Sequence, residues 1–183
     1  TTFTPSDDST YEGNEAAIIS INSVSGGGAI EDGNQSVTIT ITDNETVPTV
    51  SLSVSSSSVA ENSGSTVTIT ATLTQSATTS VTVGLGFSGA TDGTDFTDGS
   101  GTVDDITINS GATTGTVSFI PTDDSVYEGN ETVTITIESV SGNNGNAQED
   151  GNQSETITIT ENESAPTVSL STGSTSVYDN GSN

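Results

Sequence analysis

The sequence predicts an all-β protein in which short antiparallel strands form two packed sheets. Val and Ile alternate with Thr in residues 37–41, 67–73 and 133–137, and strict alternation of β-branched residues is typical of strands with one buried face. Clusters of Gly, Asn, Asp and Ser separate these segments, and no segment has the period of an amphipathic helix. The pattern also recurs with a period near 117 residues, about the length of one small domain.

Two duplicated motifs define this repeat. Residues 7–15 read Asp-Asp-Ser-Thr-Tyr-Glu-Gly-Asn-Glu, and residues 123–131 differ from them only by Val in place of Thr. The hexapeptide Pro-Thr-Val-Ser-Leu-Ser also occurs twice, 118 positions apart. We therefore expect three parts of a tandem array. They are the C-terminal part of one repeat (1–47), a complete repeat (48–164) and the start of the next (165–183).

The alternating segments predict seven strands within the complete repeat. Seven short antiparallel strands in this length fit an immunoglobulin-like sandwich of two sheets, although the Cys and Trp of antibody domains are absent. The joins between repeats are short and contain Pro48 or Pro166, so we expect stiff connections. The predicted strands span residues 49–53, 66–74, 80–87, 104–108, 115–120, 131–140 and 154–161.

The charge composition requires a partner from solution. The chain has 25 acidic residues and no Lys, Arg or His. Two carboxylates about 4 Å apart repel by about 4 kcal/mol at an effective dielectric near 20, so compact acidic clusters need protons or bound cations. Acidic bias for solubility is the alternative, but it would scatter the charges rather than duplicate one cluster.

Composition also limits the partners and the location. Without Lys, Arg or His, the chain has no positive side chain to displace the counterions of phosphate groups. This excludes nucleic acid and anionic membrane surfaces as partners. It has no apolar run that could insert into a membrane and no Cys for a disulfide or a thiolate site. Since it lacks a signal peptide and an initiator Met, we expect an internal piece of a longer extracellular or cell-surface protein of bacterial type.

The duplicated nonapeptide predicts a Ca²⁺ site on a loop between two strands. Ca²⁺ takes six to eight oxygen ligands, and the loop at 123–131 offers four carboxylates, with Gly129 allowing a tight bend. Mg²⁺ is disfavoured because it keeps several waters, and Zn²⁺ and copper are disfavoured without His or Cys. A solvated acidic turn without a metal is the other interpretation.

At these residues the chain resembles the Calx-β domain, the calcium-binding module of sodium–calcium exchangers. That module also occurs in tandem in extracellular matrix proteins and bacterial adhesins. The resemblance rests on Val-Ser-Leu at 50–52, Val-Ala-Glu-Asn at 59–62 and Thr-Asp-Gly-Thr-Asp-Phe at 91–96. It also includes the duplicated nonapeptide and the closing Thr-Ile-Thr-Glu-Asn-Glu at 158–163.

The resemblance implies that the calcium ligands lie at one end of the sandwich. Position 161 departs from the family pattern, which is usually Asp-rich at the domain end. In the following repeat Asp179 stands where Glu61 stood. In the complete repeat the implied ligands are Glu61, Asp95, Asp123, Asp124, Val126 through its carbonyl, Glu128, Glu131, Glu161 and Glu163. In the preceding repeat they are Asp7, Asp8, Thr10, Glu12, Glu15, Asp43 and Glu45.

The expected function is that of a structural calcium-binding repeat in a long extracellular fibre or giant surface protein. Calcium would stiffen its junctions, and its partners would be neighbouring repeats and other copies in the fibre. The alternative is an adhesin that recognises a receptor or glycan through loops such as 89–101 or 142–151. An accessory domain of an enzyme is a third possibility. We expect no catalysis, although the pair Asp92 and Asp95 could formally serve a glycosidase.

Overall fold

The structure is a computed structural model that describes residues 2–173, 175, 176 and 179. These residues contain twelve strands and two short 3₁₀ turns, Glu61–Ser63 and Asn143–Gly145. The strands are β1 (Glu15–Ser20), β2 (Ser36–Ile41), β3 (Thr49–Val54), β4 (Ser58–Ala60), β5 (Val67–Leu73), β6 (Val81–Gly89), β7 (Phe96–Thr97), β8 (Ile106–Ile108), β9 (Thr114–Pro121), β10 (Glu131–Gly142), β11 (Gln148–Glu149) and β12 (Ser154–Thr160).

Ten of the strands form two five-stranded sheets. One sheet has the order β4-β12-β10-β6-β8, and the other has the order β11-β3-β5-β9-β7. A single cluster of buried apolar side chains, drawn from both sheets, forms the core. The predicted all-β sandwich of two sheets is therefore confirmed.

The predicted number of strands is wrong. Each of the seven predicted segments contains a strand, but β4, β7 and β11 add three more of only two or three residues. Such short strands carry too few residues to show an alternating pattern. The pairings among the seven predicted strands are antiparallel, as expected, whereas the additional strands β4 and β11 pair in parallel with β12 and β3.

The core follows the alternation seen in the sequence. In β5 the residues Val67, Ile69, Ala71 and Leu73 are buried, while the intervening Thr residues are partly exposed. Three aromatic rings fill the space near β7. The rings of Phe96 and Phe119 stack with their centroids 4.5 Å apart, and that of Phe87 lies 5.5 Å from Phe96.

The hairpin of β1 and β2 lies outside the two sheets. Its register, Glu15 opposite Ile41, matches that of β10 and β12, where Glu131 lies opposite Ile159. Its apolar side chains are poorly covered. Ile19 is 45% exposed, whereas Ile135, the residue at the same position of β10, is fully buried. No helix among the described residues is long and apolar enough to cross a membrane.

Candidate metal centre

A parallel strand pair brings together two carboxylates that are 100 residues apart in the chain. Ala60, the last residue of β4, pairs with Thr160, the last residue of β12. Because the two strands run in the same direction, the next residues, Glu61 and Glu161, leave the sheet at the same end. The short strand β4 therefore fixes one half of the candidate site.

The short strand β7 brings a second set of carboxylates to the same end. Phe96 pairs with Pro121, and the N–H of Thr122 donates to the carbonyl oxygen of Asp95 at 2.9 Å. Asp95 is thereby held beside the start of the nonapeptide loop, which connects β9 to β10. Glu131, the last residue of that loop motif, is the first residue of β10.

The result is two carboxylate trios. Within each trio, one oxygen from every residue lies within 4.8 Å of the others. The first trio consists of Glu61, Glu161 and Glu163, and the second of Asp95, Glu128 and Glu131. All six residues were predicted as ligands, but their division into two trios follows from strand pairing and could not be read from the sequence.

Hydrogen bonds join the loop to the first trio. Glu161 Oε2 accepts the N–H of Glu128 at 2.6 Å and that of Gly129 at 2.8 Å. Gly129 has a φ of +80°, the left-handed conformation that allows the bend expected from the sequence. Glu161 thus holds the loop through two backbone hydrogen bonds at its bend.

The remaining predicted ligands of the complete repeat line the same loop. The N–H of Asp124 donates to Glu61 Oε1 at 3.4 Å, and Asp124 Oδ1 accepts the N–H of Val126 at 2.6 Å. Asp123 belongs to neither trio, but its charge contributes to raising the pKa of both Glu61 and Glu163. The side chain of Val126 is exposed, so only its carbonyl could serve a metal.

The carboxylates of the two trios have pKa values that shift in opposite directions. Hydrogen bonds from the N–H groups of Glu163 and Glu128 lower the pKa of Glu161 to about 2. Burial, followed by neighbouring carboxylates, raises the pKa of Glu61 and of Glu131. The pKa of Glu163 is also raised, first by the neighbouring side chain of Glu161 and then by burial. The folded chain therefore crowds charges that repel one another.

Two observations test whether Ca²⁺ fits these residues. Glu61 is only 8% exposed, and burial of a carboxylate is costly unless a positive group pairs with it. Within the described residues the buried Glu163 Oε2 has no hydrogen-bond partner. Since the chain has no basic side chain, a hard cation is the fitting partner for an all-oxygen set of this kind.

The N-terminal hairpin carries a matching loop. Asp43 Oδ2 accepts the N–H of Glu12 at 2.7 Å and that of Gly13 at 2.5 Å, as Glu161 does in the complete repeat. The pKa of Asp43 is lowered: burial opposes this shift, but the N–H groups of Glu45, Glu12 and Gly13 outweigh it. A cleft there is lined by all the ligands predicted for the preceding repeat: Asp7, Asp8, Thr10, Glu12, Glu15, Asp43 and Glu45.

The structure supports two groups of predicted ligands less strongly: the carboxylates of the hairpin and Asp179. The carboxylates of the hairpin do not form a trio of the kind found in the complete repeat, on a search of the described residues. Asp179 is exposed near the C-terminus, next to residues 177, 178 and 180, which lie outside the described part of the chain. Asp179 is not in either trio.

Comparison with known proteins identifies the family. The model of the Calx-β domain family matches residues 43–163, which include both trios. A search of curated proteins finds no match. The solved structure of the apo form of the Calx CBD1 domain is 18% identical with a TM-score of 0.47, covering 64% of this chain and 99% of that one. The family model alone covers well over half of the sequence, and this chain therefore belongs to the Calx-β domain family.

Proposed function

We propose that the chain is a structural, calcium-binding repeat of a long extracellular fibre or giant cell-surface protein, of bacterial type. In this proposal residues 1–47, 48–164 and 165–183 belong to three successive Calx-β repeats. Ca²⁺ binds the ligands predicted from the sequence at the end of each repeat and stiffens the junction to the next one.

The observation that carries the proposal is the pair of carboxylate trios at one end of the sandwich. Glu163 contributes to the first trio and lies three residues before Pro166, which begins the second copy of the hexapeptide. A cation bound by Glu61, Glu161 and Glu163 would supply the positive charge that the chain lacks. It would also restrain the backbone that leads into the next repeat.

The preceding junction shows how short this connection is. Glu45 takes part in the hairpin cluster, where its N–H donates to Asp43 Oδ1 at 2.9 Å. The next residue, Thr46, accepts a hydrogen bond from the side chain of Gln75, which belongs to the complete repeat. The N–H of Thr49 donates to Thr74 Oγ1 at 3.0 Å. In this proposal, consecutive residues therefore contact the calcium-binding end of one repeat and the body of the next.

Small-angle scattering tests this mechanism on a protein with two complete repeats. We expect a longer and narrower distance distribution with Ca²⁺ than with EGTA. The double substitution Glu128→Gln and Glu131→Gln should remove the difference while the sandwich stays folded, as checked by circular dichroism. Equal rigidity in both conditions would show that the short proline-containing join alone sets the shape, and that calcium has no mechanical role.

A further inference from the structure

The sequence Glu-Asp-Gly-Asn-Gln-Ser occurs twice in the chain, at residues 31–36 and at residues 149–154. In the sandwich it connects β11 to β12, and in the hairpin it leads into β2. None of its residues belongs to either carboxylate trio found among the described residues. Its six positions divide into those that shape the loop and those that do not.

Four of the six residues shape the loop in the sandwich. Glu149 Oε1 accepts the backbone N–H of Gln153 at 2.5 Å, and the side chain of Gln153 donates to the carbonyl oxygen of Asp150. Gln153 Oε1 also accepts the N–H of Leu52 at 3.1 Å, which attaches the loop to β3. Gly151 has a φ of +68°, a left-handed conformation that favours glycine. These contacts account for the residue type or the backbone of each of the four.

The side chains of Asn152 and Ser154 have no such role. Both are exposed, and none of the hydrogen bonds that shape this loop in the described part of the chain uses them. The hairpin repeats the arrangement, with Asn34 and Ser36 exposed on either side of Gln35. Asn and Ser separated by one residue other than Pro form the acceptor sequence for N-linked glycosylation. The two side chains that the fold does not use are thus the two that a glycosylation site requires.

The sequence on both sides of this hexapeptide differs between the two copies. The segment that precedes it has seven residues in the hairpin (24–30) and nine in the sandwich (140–148). The residue that follows it is Val37 in the hairpin and Glu155 in the sandwich. An identical Asn-Gln-Ser between segments that have changed indicates that the exposed pair serves a function, as the loop-shaping residues do.

Two other Asn-x-Ser/Thr sequences of the sandwich lie beside the carboxylate trios and are engaged there. Asn130 Oδ1 accepts the N–H of Glu161 at 3.0 Å, so its amide is fixed. Asn162 Nδ2, the atom to which a glycan would be attached, donates to Glu163 Oε1 at 2.8 Å. The structure therefore separates the exposed site in the loop from the two sites that hydrogen bonds occupy.

We propose that Asn152 is a site of N-linked glycosylation, with Asn34 as its counterpart in the preceding repeat. This assignment rests on the proposed extracellular location, because N-glycans are added to exported proteins. Asn152 Nδ2 attacks the anomeric carbon of an oligosaccharide carried on a lipid diphosphate. A C–N bond forms while the bond from that carbon to the diphosphate oxygen breaks. The lipid diphosphate leaves, and the amide loses one proton to a base of the transferase.

The site lies away from the carboxylate trios. Ser154 and Thr160 are the first and last residues of β12, so the loop and the trios are at opposite ends of this strand. The N–H of Gln148 donates to the carbonyl oxygen of Pro48 at 3.2 Å, which places the loop beside the join to the preceding repeat. A glycan on Asn152 would cover the flank of that join with a hydrated group. Because the site contains no predicted calcium ligand, its failure and that of the calcium proposal are distinguishable.

Expression of the 183-residue protein tests the site. The protein is exported from bacteria that also produce an oligosaccharyltransferase and its lipid-linked oligosaccharide. A protease specific for Glu releases residues 150–155 as one peptide, because Glu149 and Glu155 bound it. We expect mass spectrometry to find the glycan on this peptide. Ser154→Ala should abolish the modification, whereas Ser154→Thr should retain it, since either hydroxyl completes the acceptor sequence.

Asn130 is the matched internal control. Glu128 lies two positions before it, as Asp150 lies two positions before Asn152, so both acceptor sequences follow an acidic residue and Gly. We expect Asn130 to stay largely unmodified in the folded chain, because its amide is held by the N–H after β12. The proposal is overturned by the absence of a glycan from residues 150–155, by a glycan that persists in Ser154→Ala, or by equal modification of Asn130 and Asn152.

Discussion

The carboxylate ends of the two-sheet sandwich and of the N-terminal hairpin share their local geometry but differ in their surroundings. In both, an acidic residue after the last strand accepts the two N–H groups at the bend of the nonapeptide loop. In both, the side-chain oxygen of a loop Asn accepts a backbone N–H at 3.0 Å. Asn130 accepts that of Glu161, and Asn14 accepts that of Asp43. Among the described residues, only the sandwich adds Glu61, which follows β4 in one sheet, and Asp95, which precedes β7 in the other.

This difference separates the geometry that the loop forms by itself from the geometry that requires the two-sheet sandwich. The nonapeptide and the residues after the strand form the same turn whether or not a sandwich surrounds them. The close trios occur where β4 and β7 bring Glu61 and Asp95 to the loop. We therefore expect the sandwich to bind Ca²⁺ more tightly than the hairpin does.

Removal of calcium should have the largest effect. A ligand that binds only the folded state stabilises it by about 2.7 kcal/mol at a hundredfold excess over Kd. For a domain of this size we expect chelation to lower Tm by about 5–10 °C. Thermal unfolding followed by circular dichroism in Ca²⁺ and in EGTA measures this shift. Coincident curves would show that the trios do not bind calcium in the folded chain.

Matched substitutions in the two regions should separate their affinities. Glu131→Gln removes one charge from a trio, whereas Glu15→Gln removes the corresponding charge from the hairpin. Calorimetric titration should show the tight phase weakened about tenfold or more by Glu131→Gln and unchanged by Glu15→Gln, because ligand charge tunes Ca²⁺ affinity. If both variants weaken the same phase equally, the sandwich adds nothing to the hairpin site.

The role of Glu161 can be tested with the residue found at the corresponding position of the hairpin. Glu161→Asp should keep the loop in place, since Asp43 makes the same hydrogen bonds. Glu161→Ala leaves the N–H groups of Glu128 and Gly129 without their acceptor and should lower Tm in EGTA, though less than calcium removal does. Equal melting temperatures for the two variants would show that the loop does not depend on this carboxylate.

The pH dependence without calcium should be the smallest effect and should change sign. The pKa values of Glu61, Glu131 and Glu163 are raised in the folded state, so protonation just above the ordinary value of 4.5 favours folding. Glu161, with a pKa of about 2, contributes stability that is lost as the pH falls from 4.5 towards 2. In EGTA, Tm should rise on mild acidification and then fall. A steady decline from neutral pH would contradict this assignment.

Much of the fold was predictable because it depends on local pattern. The alternation of Thr with Val and Ile marked β2, β5 and β10, and the burial of β5 follows it residue by residue. The strands β4, β7 and β11 were not predictable, since two or three residues carry no period and form only because longer strands lie beside them. The parallel pairings were not predictable either, because they join residues 99 or 100 positions apart in the chain.

The sequence by itself determined which residues are candidate calcium ligands, because composition leaves carboxylates as the only charged groups and the duplicated motif marks their positions. It also determined the turn of the nonapeptide loop, which depends on contacts within one hairpin. Only the tertiary structure decided which carboxylates share a trio. Glu61 and Asp95 reach the loop through strand pairs that are distant in sequence, and only the folded chain, in its described part, leaves the buried Glu163 Oε2 without a hydrogen-bond partner.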